Sequence, residues 1–148
     1  MNPITEYHSK LRSAKDAVAV VTSGDWVDYG MTLCQPMLLD AALAERRQEL
    51  QDVKIRGTLA VAPRQVVTAD PAREQFTYCC WHFGGYERKL QDQNLCNFIP
   101  MVYRNKPSFY RNHLDVDVAM GTLAPMDKHG YFSFSLTNSA TRAILETA

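Results

Sequence analysis

The sequence predicts an open α/β fold in which a mainly parallel β-sheet is covered by helices on both faces. Four β-prone segments recur along the 148 residues: DWVDYG, VKIRGTLAV, QFTYCCWHF and VDVAMGTL. Segments with a helical spacing of apolar residues lie between them, and Gly or Pro marks the short turns. Parallel neighbours need a crossover connection, so strands that alternate with helices indicate a parallel sheet.

The first third of the chain predicts helix, strand and helix in turn. Residues 3–11 have the spacing of a short amphipathic helix, and Ser13 is placed to cap a second helix over residues 14–22. DWVDYG then brings the carboxyl end of a strand to Gly30. A long helix is predicted over residues 36–50, with a proline in its first turn. Its apolar side is formed by Leu39, Ala42, Leu43 and Leu50.

The remaining segments continue the alternation. Gly57 interrupts VKIRGTLAV, Gly84 and Gly85 end QFTYCCWHF, and VDVAMGTL is expected to be a buried strand. Five further elements are predicted: a helix over 86–90, an edge strand over 97–103, a helical turn over 107–113, a short strand over 131–135 and a helix over 138–148.

Composition excludes several classes of protein. Lys plus Arg and Asp plus Glu number 16 each, so the chain lacks the basic excess that nucleic acids or anionic membranes require. No apolar run approaches the roughly 20 residues of a membrane span, and the N-terminal segment has no apolar core of a signal peptide. We therefore expect one domain over residues 1–148 in the cytoplasm, without nucleic-acid or membrane partners.

The cysteines do not predict a metal site. Cys34, Cys79, Cys80 and Cys96 lack ligand spacings such as C-x-x-C, and we interpret them as small buried apolar residues. No bound cofactor or metal is expected.

Three segments follow predicted strands, where ligands of open α/β sheets gather. In the first, residues 28–36, Gly30 would let a backbone approach a ligand, and the following helix start could hold an oxyanion. In the second, residues 81–89, His82 is either a proton carrier or a structural residue. Arg88 and Lys89 either bind an anion or lie on a solvated helix face with Glu87. The third, residues 125–133, has the composition of an ordinary turn. These spacings alone leave the ligand open.

The same segments resemble the acetyl-CoA hydrolase/transferase family, especially its butyryl-CoA:acetate branch. The matching stretches are SGDWVDYG with the following TLCQP, KIRGTLAV, CWHFGGYERKL, FIPMVYRNKPSFYR and VDVAMGTLAPMDKHGYFSFSLTN, which together extend from about Ala14 to Thr141. Related 4-hydroxybutyrate CoA-transferases usually have H-A-x-G-E-P in the first loop. Met31 and Gln35 stand at the His and Glu places here, which favours the butyryl branch.

The resemblance implies a CoA-transferase-like fold of the NagB/RpiA type and an exchange of CoA between a short-chain acyl-CoA, with butyryl-CoA expected, and acetate. In such enzymes a glutamate attacks the thioester, and a glutamyl-CoA thioester follows an acyl–glutamyl anhydride. That glutamate lies in a C-terminal domain, so we expect no catalytic residue here and a chain truncated relative to the family. CoA thioesters would be co-substrates, and the full-length protein is expected to be a homo-oligomer.

The resemblance also assigns the substrate-binding wall to two loops. The residues concerned are Gly30, Met31, Gln35, Pro36, Phe83, Gly84 and Gly85. Two alternatives stay open at this stage. An acyl-CoA hydrolase of the same fold would use water as acceptor, and a fragment without catalytic activity would bind a metabolite or a partner.

Overall fold

The structure, a computed structural model, describes residues 2–148 and contains one five-stranded sheet. Every strand pair in it is parallel, which confirms the predicted fold class. The strands are β1 (Trp26–Tyr29), β2 (Val53–Gly57), β3 (Phe76–Cys80), β4 (Asn97–Phe98) and β5 (Val118–Met120). Their spatial order is β4-β3-β2-β1-β5.

Within residues 2–148, seven α-helices connect and cover these strands. They are α1 (Pro3–Lys10), α2 (Ala14–Ala17), α3 (Met37–Glu45), α4 (Gln65–Ala69), α5 (Gly85–Asp92), α6 (Lys106–His113) and α7 (Thr141–Thr147). The helix predicted over residues 36–50 is shorter than expected, because its end tightens into a 3₁₀ turn over Arg46–Gln48. In this turn, the Arg46 side chain donates hydrogen bonds to the carbonyls of Val18 and Val21. None of the helices in the described part of the chain is long and apolar enough to cross a membrane.

The strand order contains a change of direction beside β1. From β1 the chain adds β2, β3 and β4 on one side, and after α6 it returns to place β5 on the other side. The loops that leave β1 and β5 therefore meet at the carboxyl edge of the sheet, where the Thr122 amide donates to the Cys34 carbonyl at 2.8 Å. Such a switch in an open parallel sheet creates a crevice where ligands bind.

Successive side chains of a strand point to opposite faces of the sheet, so the buried residues form two cores, one on each face. On one face, Val27, Ile55 and Tyr78 belong to the larger core, which α3 to α5 cover with residues such as Leu43 and Leu90. On the other face, α6 and α7 cover a smaller core. Its buried residues are Trp81, Tyr110, Val116, Ala140, Ala143 and Ile144. Helices thus lie on both faces, as predicted.

Five predicted strands are longer than the observed ones, and a sixth, over residues 131–135, is wrong. VKIRGTLAV ends at Gly57, because Leu59 adopts a left-handed backbone with φ of 48°. QFTYCCWHF ends at Cys80, and VDVAMGTL contributes only the partly buried edge strand Val118–Met120. Residues 131–135 are irregular rather than a strand and follow a turn at Gly130, where φ is +88°. The four cysteines are buried and free, as expected.

Candidate functional site

The carboxyl ends of β1 and β5 enclose a cavity at the switch in strand order. It has a volume of about 200 Å³ and is mostly apolar. Its walls include Gly30 after β1, Gly121 after β5, Leu39 on α3, and Ile144 and Leu145 on α7. An apolar cavity of this kind at the switch of a parallel sheet is the expected position of a ligand site.

Gly30 holds the first loop tightly against the neighbouring strand. Its amide donates to the Met120 carbonyl at 2.8 Å, which extends the pairing of β1 with β5 by one bond. A Cβ atom at this position would lie 2.2 Å from the Cys34 carbonyl oxygen, far inside any real contact. The turn that follows, Thr32–Cys34, therefore closes over a position that only glycine can occupy.

Hydrogen bonds join the loops after β1, β2 and β3 into one continuous wall. The Thr32 amide donates to the Thr58 carbonyl at 3.3 Å, and the Val61 amide donates to the Gln35 side chain at 3.2 Å. In the loop after β2, the Leu59 amide donates to the carbonyl of His82, in the loop after β3, at 3.1 Å. The two sequence-predicted loops are thus at the same edge of the sheet, with the loop after β2 between them.

Glu87 connects the loop after β2 with the loop after β3. Its carboxylate is fully buried and accepts hydrogen bonds from the amides of Ala60 and, at 2.8 Å, Gly84. One alternative from the sequence placed Glu87 with Arg88 and Lys89 on a solvated helix face, and it is wrong for Glu87, although Arg88 and Lys89 are exposed. Glu87 is the third residue of α5, and its carboxylate turns back to the helix start, where it accepts from the amide of the N-cap residue Gly84.

The predicted site residues do not all line the same cavity. Gly30 lines the cavity between β1 and β5, whereas Phe83 borders a shallow depression with Arg88 and Phe98 on the far side of the wall. Gly85 is exposed at the first position of α5. Three further predicted residues lie in the first loop: Met31 is half-buried, and Gln35 and Pro36 are buried. Gly84 is half-buried against Leu59.

His82 and the third loop show no sign of chemistry. Within residues 2–148 the exposed His82 uses only its backbone carbonyl, as a hydrogen-bond acceptor. Asp127 accepts hydrogen bonds from the amides of His129 and Tyr131, which identifies an ordinary turn. No group of three or more His, Cys, Asp or Glu side chains in this described range is arranged to hold a metal ion.

Sequence reasoning missed a buried polar network on the sheet face covered by α6. The Arg56 guanidinium contacts the Asp28 carboxylate at 2.6 Å, and both side chains are buried. Tyr110 on α6 donates to the same carboxylate and accepts from Trp81 at 3.1 Å. Burial raises the pKa of the Asp28 carboxyl although Arg56 and Tyr110 stabilise its ionised form.

Lys106 is a second missed residue. It begins α6, is 3% exposed, and donates from Nζ to the Thr58 hydroxyl at 2.6 Å. Burial lowers the pKa of the Lys106 amine to about 8. No periodicity identifies it, because a lysine before Pro107 at a helix start normally faces solvent.

These features define a class: an open parallel α/β domain with a ligand crevice at the switch between β1 and β5. Comparison with known sequences identifies the family. Residues 1–148 match the acetyl-CoA hydrolase/transferase N-terminal domain along their whole length. The chain therefore belongs to the acetyl-CoA hydrolase/transferase family and corresponds to its N-terminal domain.

Individual relatives agree with this assignment. The chain is 44% identical over 144 residues to a butyryl-CoA:acetate CoA-transferase of Anaerostipes caccae, covering 97% of this chain and 32% of the relative. It is 39% identical over 146 residues to a probable butyrate:acetyl-CoA coenzyme A-transferase of Syntrophomonas wolfei, covering 98% of this chain and 32% of that one. The chain thus spans about a third of the length of these relatives.

Solved structures share the fold. The crystal structure of RipA from Yersinia pestis superimposes with a TM-score of 0.88 at 24% identity, over 100% of this chain and 37% of RipA. A 4-hydroxybutyrate CoA-transferase from Porphyromonas gingivalis superimposes with a TM-score of 0.68 at 19% identity, over 97% of this chain and 32% of that one.

Proposed function

We propose that this chain forms one wall of the active-site cleft of a CoA-transferase that exchanges CoA between butyryl-CoA and acetate. The observation that carries the proposal is the cross-linked wall of three loops at the carboxyl edge, next to the crevice at the switch in strand order. Identity of 44% to a butyryl-CoA:acetate CoA-transferase supports the choice of substrates. We further propose that the protein is cytoplasmic and acts as a homo-oligomer when joined to a second domain.

In the proposed reaction, a glutamate of the second domain attacks the butyryl thioester and releases CoA thiolate. The thiolate then attacks the glutamyl carbonyl of the resulting anhydride, which gives a glutamyl-CoA thioester and frees butyrate. Acetate enters, and the same steps run in reverse to produce acetyl-CoA. Because the thioester energy stays in covalent intermediates, no other energy source is required.

The residues of this chain would bind and orient rather than react. Gly30 keeps the first loop close to β5, so that the crevice beside it stays narrow and apolar. We propose that this crevice of about 200 Å³ takes the short acyl chain, since its lining suits methylene groups. Gly85 presents an exposed backbone at the first position of α5, where a helix start favours a negatively charged group.

The other predicted residues would shape the wall. Gln35 is a positioning residue, because its side-chain oxygen accepts from the Val61 amide and so fixes the loop after β2. Pro36 precedes α3 and is buried, so it sets the direction of the helix. Met31, Phe83 and Gly84 complete the proposed substrate-binding set.

A chimeric enzyme tests this function. The corresponding N-terminal segment of the Anaerostipes caccae relative is replaced by residues 1–148, and the product is assayed with butyryl-CoA and acetate. We expect acetyl-CoA to form, and Gly30→Val in the chimera to abolish it, because the side chain cannot fit against Cys34. Ala41→Val is the matched control, since it introduces the same side chain at an exposed position of α3.

The acceptor is decided by a second arm of the same assay. Loss of butyryl-CoA at an equal rate without acetate would identify the hydrolase, in which water takes the acyl group. A folded chimera without either reaction would contradict the proposal and favour a binding fragment.

A further inference from the structure

The segment between β4 and α6 contributes no residue to the proposed substrate-binding set, although it lies against the loops that carry this set at two points. It belongs to the stretch FIPMVYRNKPSFYR, one of those that carry the family resemblance. Within it, Tyr103–Asn105 is a 3₁₀ turn that continues directly into α6. The backbone at residues 103 and 106 therefore follows one helical path, which fixes the two positions relative to each other.

Lys106 is the first of the two points of contact. Its ammonium donates to the Thr58 hydroxyl at 2.6 Å, and the Thr58 carbonyl accepts from the Thr32 amide at 3.3 Å. Lys106 and Thr58 are 3% and 1% exposed. Hydrogen bonds from a charged donor are stronger than neutral ones, so this contact is a firm anchor. It joins the start of α6 to the loop after β2 and, through Thr32, to the loop after β1.

Tyr103 is the second point of contact, one turn before Lys106. Its hydroxyl lies 3.8 Å from the sulfur of Met31, a predicted substrate-binding residue of the loop after β1. Tyr103 is 58% exposed and Met31 is half-buried, so a ligand can reach both side chains. The surface that this pair presents to solvent is apolar apart from one hydroxyl group.

The hydroxyl of Tyr103 is weakly engaged by its neighbour. A thioether sulfur is a weak hydrogen-bond acceptor, so a ligand carbonyl would be a better partner for this donor. Exchanging the sulfur for a carbonyl leaves no strong acceptor without its donor, since a thioether needs none. The tyrosine ring in turn offers an apolar face to methylene groups. A ligand that alternates methylene groups with amides matches this pair.

We propose that Tyr103 is a further substrate-binding residue that holds the pantetheine arm of the acyl-CoA, an assignment that rests on the proposed function. Its ring packs against the methylene groups of the arm, and its hydroxyl donates to an amide carbonyl. Tyr103 and Met31 stand outside the walls that residues 2–148 give to the crevice between β1 and β5, where we place the acyl chain. The part of the substrate that meets Tyr103 is therefore the arm rather than the acyl group.

Binding is measured by NMR on the chimeric enzyme with ¹³C-methyl-labelled methionine, and Met31→Leu identifies the signal of Met31. The probes are free CoA, 3′-phospho-ADP, which is CoA without the arm, and sodium butyrate. We expect CoA to shift the Met31 methyl signal in a saturable way, because the arm enters the contact between Met31 and Tyr103. Neither 3′-phospho-ADP nor butyrate should move this signal.

Tyr103→Phe keeps the ring and removes the hydroxyl. It should raise the dissociation constant of CoA and the KM for butyryl-CoA by about three- to tenfold, because one hydrogen bond is lost. The kcat should stay unchanged, since the arm is bound equally in the ground state and the transition state. Tyr103→Ala also removes the packing and should raise both constants further. Tyr131→Phe is the matched control, because Tyr131 is a 73% exposed tyrosine in the third loop.

Three outcomes overturn the proposal. The first is the absence of a CoA-dependent shift at Met31, and the second is a Tyr103→Phe variant that matches Tyr131→Phe in both constants. The third is a lower kcat at unchanged KM, which would place Tyr103 at the reacting bond. If Tyr103→Ala does not fold, Tyr103→Phe decides the question.

The same measurements separate this role of Tyr103 from the transferase function. Turnover by the chimera with normal constants in Tyr103→Phe would keep the function and remove the role of Tyr103. A CoA-dependent shift at Met31 that is weakened in Tyr103→Phe, in a chimera without turnover, would keep the role of Tyr103 and contradict the transferase.

Discussion

The Asp28 carboxylate and the Arg56 guanidinium form an ion pair between neighbouring strands, at 2.6 Å and with both side chains buried. The register of β1 and β2 places these two residues directly opposite each other. Arg56 also lies 4.5 Å from the centre of the Trp26 ring, so the guanidinium is enclosed by an aromatic surface as well as by its partner. The smaller core is therefore organised around a charge pair rather than around aliphatic side chains.

Removing one member of this pair should be strongly destabilising. Arg56→Met leaves the Asp28 carboxylate buried without its cation, and such a loss costs about 3–5 kcal/mol of unfolding free energy. Urea unfolding at pH 7 measures the change. Arg111→Met is the matched control, because its pair with Glu146 is half-exposed and contributes no more than about 1 kcal/mol. Equal effects of the two changes would mean that Asp28 is satisfied without Arg56.

Gly30 and Gly85, both predicted from sequence as site residues, should respond differently to alanine. Gly30→Ala drives a Cβ into the Cys34 carbonyl, and overpacking of this kind costs about 1–3 kcal/mol or more. Gly85→Ala meets open space at the start of α5 and should be neutral or stabilise by up to about 1 kcal/mol. Thermal unfolding of the two variants checks the contrast, and a stable Gly30→Ala would show that the first loop can move.

The predicted fold was correct because its evidence is local. Strands buried on both faces appear as continuous β-prone runs, and VKIRGTLAV and QFTYCCWHF both contain such a strand. The predicted ends of these strands were wrong because the chain leaves the strand direction where a backbone amide donates a hydrogen bond to another loop. Leu59, for example, leaves the strand direction and donates to His82. A partner 23 residues away along the sequence leaves no periodic signal at Leu59.

The missed residues share one property: each is charged and buried, and its partner is distant in sequence. Arg56 meets Asp28 across 28 residues, and Lys106 meets Thr58 across 48. Composition scales place such side chains in solvent, since buried charges are rare without partners. The glycine positions could be proposed as site residues because a strand followed by glycine before a helix is a local pattern.

Glu87 should hold the loops after β2 and β3 together by accepting hydrogen bonds from one backbone amide in each. Glu87→Ala leaves the amides of Ala60 and Gly84 without an acceptor, at a cost of about 1–3 kcal/mol. Amide hydrogen exchange should accelerate at these two positions before it changes in the strands. Glu45→Ala, on the exposed side of α3, is the control and should leave both rates unchanged. Unaltered protection in Glu87→Ala would contradict the role assigned to this carboxylate.

The buried amine of Lys106 should make stability depend on pH in a defined direction. Its pKa is lowered from 10.5 to about 8, so the unfolded chain binds more protons between these two values. The contribution of Lys106 to the unfolding free energy therefore increases as pH rises from about 8 to 10.5. Over the whole interval the gain is about 3 kcal/mol.

Other groups titrate in the same range, so this effect has to be measured as a difference. Burial raises the pKa of Cys80 to about 11 and also raises the pKa values of buried tyrosines such as Tyr78. These groups lower the unfolding free energy as pH rises, which is opposite to the effect of Lys106. Subtracting the unfolding free energies of Lys106→Met from those of the unmodified chain removes these contributions. The difference should grow in favour of the unmodified chain between pH 7 and 10. A constant difference would show that Lys106 keeps its ordinary pKa.

The 148-residue chain by itself should not exchange CoA between butyryl-CoA and acetate. Transfer through a covalent intermediate needs a glutamate within about 3–3.5 Å of the thioester carbon, in a site that excludes water. The six glutamates of this chain are otherwise engaged or remote from the crevice. Four of them form ion pairs: Glu6 with Lys10, Glu49 with Arg46, Glu74 with Arg47, and Glu146 with both Arg111 and Arg142. Of the other two, Glu45 is exposed on α3 and Glu87 is buried beneath the loops.

The purified chain can be incubated with butyryl-CoA and labelled acetate, and labelled acetyl-CoA measured by liquid chromatography. We expect none above the rate without protein, whereas the chimera supplies the positive control. Glu87→Gln is the decisive variant if activity is found, because Glu87 is the glutamate nearest in sequence to the predicted loop around Gly84, and its carboxylate joins that loop to the loop after β2 in the structure. Turnover by the unmodified chain that disappears in Glu87→Gln would place the nucleophile in this domain and overturn the division of roles between the two domains.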